Sequence, residues 1–247
     1  MLALELVTMV TRTRSLNRSV GPVLILASAS PRRRELVRLL GRRHRVAAAD
    51  IDETPGNDEL PDDLTQRLAT SKALAVAERQ AAGQTGIVLA ADTIVVLEGT
   101  ILNKPETQHD ALLMLTGLRG RDHRVLTGIA LTVRGQLAWA SVVETTVWMR
   151  SYTLPEMARY VATGLPLDKA GGYGIQDGGF KPVERIDGCF TNVVGLPLCE
   201  VDLALATVEP LLASDGTVTA VKRGTVRGSC GDLCRRAREK SAWLPNP

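Results

Sequence analysis

Hydrophobic residues along the chain are grouped into short continuous runs that alternate with stretches of helical spacing. The run PVLILAS, residues 22–28, has the character of a strand that is buried on both faces. Between Pro31 and Gly41 the apolar residues instead recur at helical spacing. Pro31 suits a first helical turn, and Gly41 suits a C-terminal cap. The pattern therefore predicts a strand–helix unit at this point.

The same alternation continues along the chain. Helices are predicted in DDLTQRLATSKALAVAERQA, ETQHDALLMLTGLRG and TLPEMARYVATG, while NVVGLPLCEVDLALATVEPLLA indicates a short strand or turn that leads into a helix. Strands are predicted in HRVAAADID and in GIVLAADTIVVLEGTIL, which holds two apolar stretches around Asp92 and a turn at Gly99. HRVLTGIALTV and LAWASVVETTVWM form a predicted antiparallel pair joined near Arg134 and Gly135. This order predicts an α/β fold with a mixed, twisted sheet flanked by helices.

The composition of the 247 residues is that of an ordinary globular protein, with 45% hydrophobic and 23% charged residues. A formal net charge of +3 gives the chain no polyelectrolyte character, and an aromatic fraction of 3% disfavours a base-stacking surface. No apolar run approaches the length of a membrane span. We therefore expect a cytoplasmic protein that binds neither a membrane nor nucleic acid, and a homodimer stays open as its oligomeric state.

Both ends of the chain differ from its middle. Residues 1–22 carry three arginines against a single acid, which favours a disordered extension over the alternative of a weak organellar presequence. Residues 214–247 are basic and lack sustained periodicity. We interpret them as an appended tail, in which a short helix is possible, and not as a second domain.

The four cysteines, Cys189, Cys199, Cys230 and Cys234, are expected to be reduced thiols. A chain of this length with so few cysteines does not indicate a disulfide scaffold. Cys230 and Cys234 are four positions apart and no histidine lies near them in the sequence, which disfavours a structural zinc site.

The first strand–helix corner combines features that bind phosphate. A strand that ends in Ser28-Ala-Ser30-Pro directs backbone N–H groups and the positive end of a helix dipole outward. Arg32, Arg33 and Arg34 follow at once, although positive charge at a helix N-terminus opposes the dipole. Because arginine matches phosphate oxygens bidentately, the corner predicts a phosphate site, with Arg34 turned to solvent. The alternative is a solvated run of charge.

Asp92 is the second chemical signal, because an ionised carboxylate between apolar stretches needs a partner. It is interpreted as a general base or metal ligand at a strand end, or else as a carboxylate satisfied by turn N–H groups or a lysine. A hairpin at Gly99 would return Lys104 to the same end of the sheet, where it would neutralise phosphate charge. The acidic segment ADIDET, residues 49–54, either solubilises a loop or supplies one ligand for Mg²⁺.

The segment DKAGGYGIQDGG, residues 168–179, is rich in glycine and does not suit the interior of a helix or strand. Lys169 would bring charge to a ligand, and the amide of Gln176 both donates and accepts toward a base edge. Tyr173 and Ile175 favour a shaped pocket wall over a mobile surface loop.

Five motifs together resemble one family. LASASPRRRELV, AADTIVVLEGTILNKP, GRDHRVLTG, DKAGGYGIQ and IDGCFTNVVGLPL, in this order, resemble the Maf family of nucleotide pyrophosphatases, also called septum formation inhibitor proteins. The resemblance covers residues 23–213, which form the predicted Maf-like domain. It implies a mixed α/β sheet with two lobes around a cleft, similar to the inosine triphosphatase-like superfamily. It also implies a hydrolase that cleaves nucleoside triphosphates between the α and β phosphates with a divalent metal, Mg²⁺ or Mn²⁺.

The resemblance also implies roles for particular residues. Asp92 matches the family's proposed proton acceptor, and Glu53 looks like its functional glutamate, so these two are the expected metal ligands. The residues that match the family's phosphate-side polar groups are Ser28, Arg32, Arg33, Lys72 and Lys104. At the positions that separate the branches, Arg32, Thr93 and Gln176 resemble the branch that acts on dTTP and UTP. Asp177 replaces the family's usual glycine beside Gln176, a change expected to weaken binding or alter base preference.

Two other interpretations stay open from the sequence. The first is a nucleotide-binding regulator of cell division or septum formation that does not turn its ligand over, which the intact Asp92 and Lys104 disfavour. The second is a nucleic-acid-binding module that uses the basic tail, for which the sequence offers only charge.

Overall fold

The computed structural model describes residues 22–80, 86–214, 217–228 and 230–240. The predicted N-terminal extension lies almost entirely outside the described residues. The strands are β1 (Val23–Leu26), β2 (His44–Val46), β3 (Gly86–Leu97), β4 (Thr100–Leu102), β5 (Asp122–Val133), β6 (Gln136–Met149), β7 (Val183–Asp187) and β8 (Val221–Arg227). The α-helices are α1 (Pro31–Arg38), α2 (Pro61–Glu78), α3 (Gln108–Leu118), α4 (Leu154–Ala162), α5 (Phe190–Val194), α6 (Leu198–Val208) and α7 (Asp232–Glu239).

The predicted mixed α/β architecture is confirmed. In the described residues one eight-stranded sheet has the order β2-β1-β3-β5-β6-β7, with β4 on β3 and β8 on β6. β1 is parallel to both β2 and β3, whereas β3, β5, β6 and β7 are antiparallel to one another in turn. The hairpin between β5 and β6 turns at Arg134 and Gly135, as predicted. Both residues have positive φ, which suits the right-handed twist of the paired strands.

Two sequence interpretations are corrected. Asp92 does not stand at a strand end or between two strands, because β3 runs unbroken through it from Gly86 to Leu97. The segment that begins NVVG forms no short strand, since Phe190–Val194 is helix α5, which ends at Gly195 with φ of 118°. Asp92 nevertheless lies beyond the carboxyl end of β1, since β1 stops at the pairing of Leu26 with Leu89 and β3 continues past it. A crevice therefore opens beside the middle of β3.

Hydrophobic side chains cover both faces of the sheet. Along β1, Leu24 and Leu26 belong to the larger core, which includes residues of α1 and of α3 through α7. Ile25 and Ala27 point to the opposite face and pack against helix α2. This alternation follows from the two-residue period of a strand and explains why the run is apolar at every position.

Helix α2 packs directly against the backbone of β5 at Gly128. A Cβ atom on Gly128 would lie 2.3 Å from the carbonyl oxygen of Thr65, so glycine is required for this contact. Gly128 is also the register partner of Asp92. Two helical turns beyond Thr65, Lys72 lies on the same face of α2 and reaches Asp92. The close packing thus delivers a lysine to the carboxylate.

The basic C-terminal segment is more ordered than the interpretation as a tail allows. α7 is the short helix considered from the sequence, whereas β8, which adds to β6 in parallel, was not predicted. Arg223 donates to Glu200 at 2.9 and 3.0 Å, and Arg227 pairs with Asp187 at 3.0 Å. Some of the basic charge is therefore used in ion pairs within the fold. The division between the domain and this segment stays a prediction.

Among the described helices, none combines the length and apolar character needed to cross a bilayer.

Candidate active site

A cleft with a volume of about 340 Å³ opens where α1 leaves β1. One wall is the corner of residues 27–33, and the floor includes Thr93 and Val95 of β3. Residues 168–170 and 173–177 form the facing wall, and residues 193–195 at the end of α5 close one side. The first strand–helix corner and the glycine-rich segment, which are far apart in sequence, therefore face one another.

Two serines fix the conformation of the corner and cap the helix that follows it. The hydroxyl of Ser30 caps α1 by accepting from the N–H of Arg33 at 3.4 Å, and Pro31 occupies the first turn. The hydroxyl of Ser28 accepts from the N–H of Ser30 at 3.2 Å, which folds the corner back on itself. The first turn of α1 contains no acid, so the positive end of the helix dipole faces the cleft without compensation.

Arg33 forms hydrogen bonds to three separate parts of the cleft. Its Nε donates to the carbonyl of Gly195 at 2.7 Å, and its two terminal nitrogens donate to Ser28 Oγ at 3.3 Å and Thr93 Oγ1 at 2.9 Å. Burial lowers the pKa of Arg33, and the nearby carboxylate of Asp92 opposes that shift. The guanidinium is held by neutral acceptors, so much of its charge is available to a ligand.

Arg32 lies at the rim of the cleft. It pairs with Asp168 across the opening, with 2.7 Å from Nη1 to the carboxylate and 3.1 Å from Nη2 to the backbone carbonyl. Lys169 bonds to the other oxygen of the same carboxylate at 2.7 Å. Although burial raises it, these two cations lower the pKa of Asp168 overall. Arg34 is exposed, as predicted.

Lys72 lies between two carboxylates. Its ammonium is 2.6 Å from Asp92 Oδ1 and 2.7 Å from Glu53 Oε1. Asp92 and Lys72 are buried, whereas 60% of the Glu53 side chain is exposed. The lysine alternative considered for Asp92 is thus the partner observed. Because Glu53 and Asp92 converge on one point, a hard cation that approached it would find two oxygen donors.

Lys104 stands beside the same part of β3. β4 pairs with β3 so that Val95 faces Leu102, and Lys104, two residues after this pairing, lines the cleft together with Thr93 of β3. Lys104 is exposed, lines the cleft and forms no ion pair with any residue in the described ranges. The hairpin at Gly99 thus returns a cation to the neighbourhood of Asp92, as the sequence predicts.

The facing wall contains Gln176 and the unusual Asp177. Asp177 accepts a hydrogen bond from the hydroxyl of Tyr160, and Lys169 lies 3.6 Å from the same carboxylate oxygen. Gly174 leaves room for this group, since a Cβ there would lie 2.7 Å from Asp177 Oδ2. The extra acid is therefore held in the wall by a phenol and an ammonium. Burial and this hydrogen bond raise the pKa of Tyr160, which keeps the phenol protonated as a donor.

Eight of the nine site residues expected from the sequence line the cleft: Ser28, Arg32, Arg33, Glu53, Lys72, Thr93, Lys104 and Gln176. The ninth, Asp92, lies directly behind Lys72 and is not among the lining residues. Asp168 and Gly195 hold the arginines of the corner and were not predicted as site residues. In a sequence, a glycine-rich motif and a glycine at a helix end both predict a turn. They do not indicate which distant side chain will contact that turn.

The fold and the cleft together define the class of this protein. It is an α/β protein with a cleft at a strand–helix corner. Because arginine and lysine side chains line this cleft, it suits a ligand that carries several negative charges. The sequence profile of the family described as Maf-like protein matches residues 23–208. The chain belongs to this family, which confirms the resemblance stated from its motifs.

Several relatives share most of their length with the chain. A dTTP/UTP pyrophosphatase of Citrifermentans bemidjiense is 47% identical over 189 residues, which are 76% of this chain and 96% of the relative. A dTTP/UTP pyrophosphatase of Geobacter sulfurreducens is 49% identical over 181 residues, 72% of this chain and 92% of the relative. A solved nucleoside-triphosphatase / dITP/XTP pyrophosphatase from Mycobacterium abscessus is 14% identical with a TM-score of 0.36, and covers 53% of this chain and 75% of that chain.

Proposed function

We propose that this protein hydrolyses dTTP and UTP to the nucleoside monophosphate and pyrophosphate. The names of its relatives support this substrate class. The observation that carries the proposal is the meeting of the α1 corner with β3, where Arg33 bonds to Thr93 beside the Asp92–Lys72 pair. A polyanion-binding surface thus lies next to a buried carboxylate, with Lys72 between them.

The triphosphate would be held by the cations of the corner. Arg33 is fixed by Gly195 and Ser28 and needs little reorganisation to bind phosphate oxygens. Arg32 would exchange its contact with Asp168 for one with the substrate. The exposed Lys104 would contact the triphosphate from the opposite side. Most of the binding energy would therefore come from contacts with the triphosphate.

Asp92 would act on the attacking water. In the proposed step the water oxygen bonds to the α-phosphorus and its proton passes to the carboxylate, while the bond to the α–β bridging oxygen breaks. Pyrophosphate leaves with that oxygen, and Lys72 and Arg33 neutralise its developing charge. Movement of Lys72 away from Asp92 toward phosphate would free the carboxylate to accept the proton.

Glu53 and Asp92 would hold a divalent cation, Mg²⁺ or Mn²⁺, that accompanies the triphosphate. Their oxygen donors suit such an ion, and both already converge on a cation, the Lys72 ammonium. When bound, the ion would withdraw charge from the phosphate oxygens. Before substrate and cation bind, the same two carboxylates hold Lys72, which would then move toward the phosphates.

The base would lie against the facing wall. Gln176 offers one donor and one acceptor to the edge of a pyrimidine, and Thr93 stands on the floor below. Asp177 is occupied by Tyr160 and Lys169, so it would shape the wall without repelling the nucleotide. We place the reaction in the cytoplasm, where free nucleoside triphosphates are abundant.

A panel of nucleoside triphosphates tests the proposal directly. The purified chain is incubated with dTTP, UTP, CTP and purine triphosphates plus Mg²⁺ or Mn²⁺, and both pyrophosphate and monophosphate are measured. We expect turnover of dTTP and UTP with equal amounts of the two products. Release of inorganic phosphate instead, a preference for purines, or tight binding without turnover would each contradict the proposal, and the last would favour a non-catalytic regulator.

A further inference from the structure

The four cysteines of the chain, spread over residues 189–234, meet in one cluster. Sγ of Cys189 lies 3.1 Å from Sγ of Cys234, and Sγ of Cys199 lies 3.6 Å from it. The sulfurs of Cys189, Cys230 and Cys234 all lie within 4.8 Å of one another. The sequence interpretation treated all four as reduced thiols and disfavoured a zinc site, because only Cys230 and Cys234 lie close together along the chain. It did not place the other two beside them because β8 and the turn after it bring the C-terminal segment back to the start of α5.

The spacing of the sulfurs suits one shared metal ion. All four cysteines are free thiols, and the sulfur separations are well beyond a disulfide bond of about 2.05 Å. Four thiolates at about 2.3 Å from a tetrahedral Zn²⁺ stand about 3.8 Å apart. Cys189, Cys230 and Cys234 already lie within 4.8 Å of one another, and Cys199, which is outside this group of three but 3.6 Å from Cys234, is the nearby sulfur that would move in as the fourth ligand. Larger iron–sulfur clusters would hold their cysteine sulfurs farther apart.

The surroundings of the sulfurs favour thiolates. The backbone N–H of Phe190 donates to Cys230 Sγ at 3.4 Å, and that of Gly231 donates to Cys199 Sγ at 3.2 Å. Such N–H to sulfur bonds orient and stabilise ligands in metal–thiolate sites.

The cluster lies behind one wall of the cleft. Cys189 immediately precedes α5 and Cys199 lies in the first turn of α6, so they bracket the segment that carries Gly195. The other two sulfurs come from the C-terminal segment, around the start of α7. A metal ion here would join that segment to both ends of the segment that holds Arg33.

We propose that Cys189, Cys199, Cys230 and Cys234 form a tetrathiolate Zn²⁺ site with a structural role. Four sulfur ligands complete the tetrahedral coordination of zinc and leave no position for substrate, as in closed structural sites. The ion fastens the C-terminal segment, residues 217–240, to the sheet and braces the wall of the cleft from behind. This proposal is independent of the reaction in the cleft.

The first test is the metal content of the wild-type chain. The full-length protein, purified under reducing conditions without a metal-affinity step, is analysed by elemental mass spectrometry. We expect about one zinc per chain. Exchange with Co²⁺ is expected to give the intense visible and near-ultraviolet bands of tetrahedral cobalt bound to thiolates. A metal-free protein with four freely reactive thiols, a disulfide seen by mass, or an iron–sulfur cluster would overturn the proposal.

Variants then identify the ligands. Each of the four single Cys→Ser substitutions is expected to reduce the bound metal to below about a tenth of the wild-type content. The matched control is Glu200→Gln, which removes the partner of Arg223 and loosens the same segment without touching a sulfur. It is expected to keep the metal. Loss of metal in that control, or retention in any two of the cysteine variants, would contradict the four-sulfur site. Folding of each variant is checked by circular dichroism.

Discussion

The Asp92 carboxylate lies 2.6 Å from the Lys72 ammonium, and both side chains are buried at the edge of the cleft. Lys72 comes from α2, which packs on the opposite face of the sheet from α1, and Val88 and Ala90 of β3 point to that same face, so Asp92 meets the lysine on the α2 side of the sheet. A buried charge pair of this kind is costly to break on one side, because the remaining charge loses its partner. Glu53, which shares the same ammonium, moderates that cost.

Asp92→Asn is expected to lower kcat for UTP by about 10²–10⁴-fold, because the amide cannot take the proton of the attacking water. KM should change much less, since the cations that hold the phosphates remain. Pyrophosphate release at varied UTP concentration measures both constants. The matched control is Asp50→Asn, an exposed acid of the neighbouring loop, which should retain wild-type kcat. A wild-type kcat in the folded Asp92 variant would remove the carboxylate from the reaction.

Arg33→Ala and Arg34→Ala test the arginine run. Arg33 makes three hydrogen bonds within the cleft, whereas Arg34 is exposed on α1. Loss of a charged group that contacts phosphate costs about 10- to 100-fold in kcat/KM, which we expect for Arg33 alone. Arg34→Ala should stay within about twofold of wild type. Equal losses in both variants would mean that the run acts only as diffuse positive charge.

Gly128→Ala is expected to destabilise the protein by about 1–3 kcal/mol or more, because its Cβ would overlap the Thr65 carbonyl. The displaced helix would also move Lys72 away from Asp92, so activity should fall along with stability. Gly224→Ala, at a position with open space around it, serves as the control. Urea unfolding provides the measurement. Similar stabilities for the two variants would show that α2 does not pack against Gly128 as described.

His123 predicts a specific dependence of stability on pH. Its ring is buried, Nε2 lies 2.6 Å from the hydroxyl of Tyr173, and burial lowers its pKa from 6.5 to about 3. Below pH 6.5 the unfolded chain binds a proton that the folded protein does not, so the free energy of unfolding falls as the pH falls toward 3. The slope is at most about 1.4 kcal/mol per pH unit.

His123→Gln should flatten this slope between pH 6.5 and about pH 5. Glu59 and Glu156, whose pKa values are lowered to about 2 by hydrogen bonds led by those from Arg67 and Arg150, add their own loss of stability only at lower pH. Urea unfolding of both proteins at several pH values measures the two slopes. Parallel slopes would mean that His123 titrates normally in the fold.

Local features of the fold were predictable from the sequence, because short-range interactions determine them. Pro31 marked the start of the first helix, and Arg134 with Gly135 marked the hairpin of β5 and β6. The helix ends at Arg38 with Leu39 as its C-cap, so the predicted cap at Gly41 lies in the turn that follows. Asp92 was misplaced at a strand end because a charge inside an apolar run suggests a break. Its actual partner, Lys72, comes from another element, and no local pattern reveals it.

The candidate site shows the same division. The motifs indicated most of the residues that line the cleft, but not that Asp168 would hold Arg32 or that Gly195 would hold Arg33. These contacts join residues more than 130 positions apart. The cysteine cluster was missed for a similar reason, since its ligands meet only after the C-terminal segment returns along β6.

That return has a consequence for the solubility of the chain. β6 carries β5 along one side, while its other side is shared end to end by β7 at residues 146–149 and β8 at residues 139–144. Without β8, the main-chain donors and acceptors of a strand rich in valine and alanine would face water and recruit strands from other molecules. Through β8, the positively charged C-terminal segment therefore covers an edge of β6 that would otherwise be open to pairing with another molecule. The composition of the segment does not reveal this role.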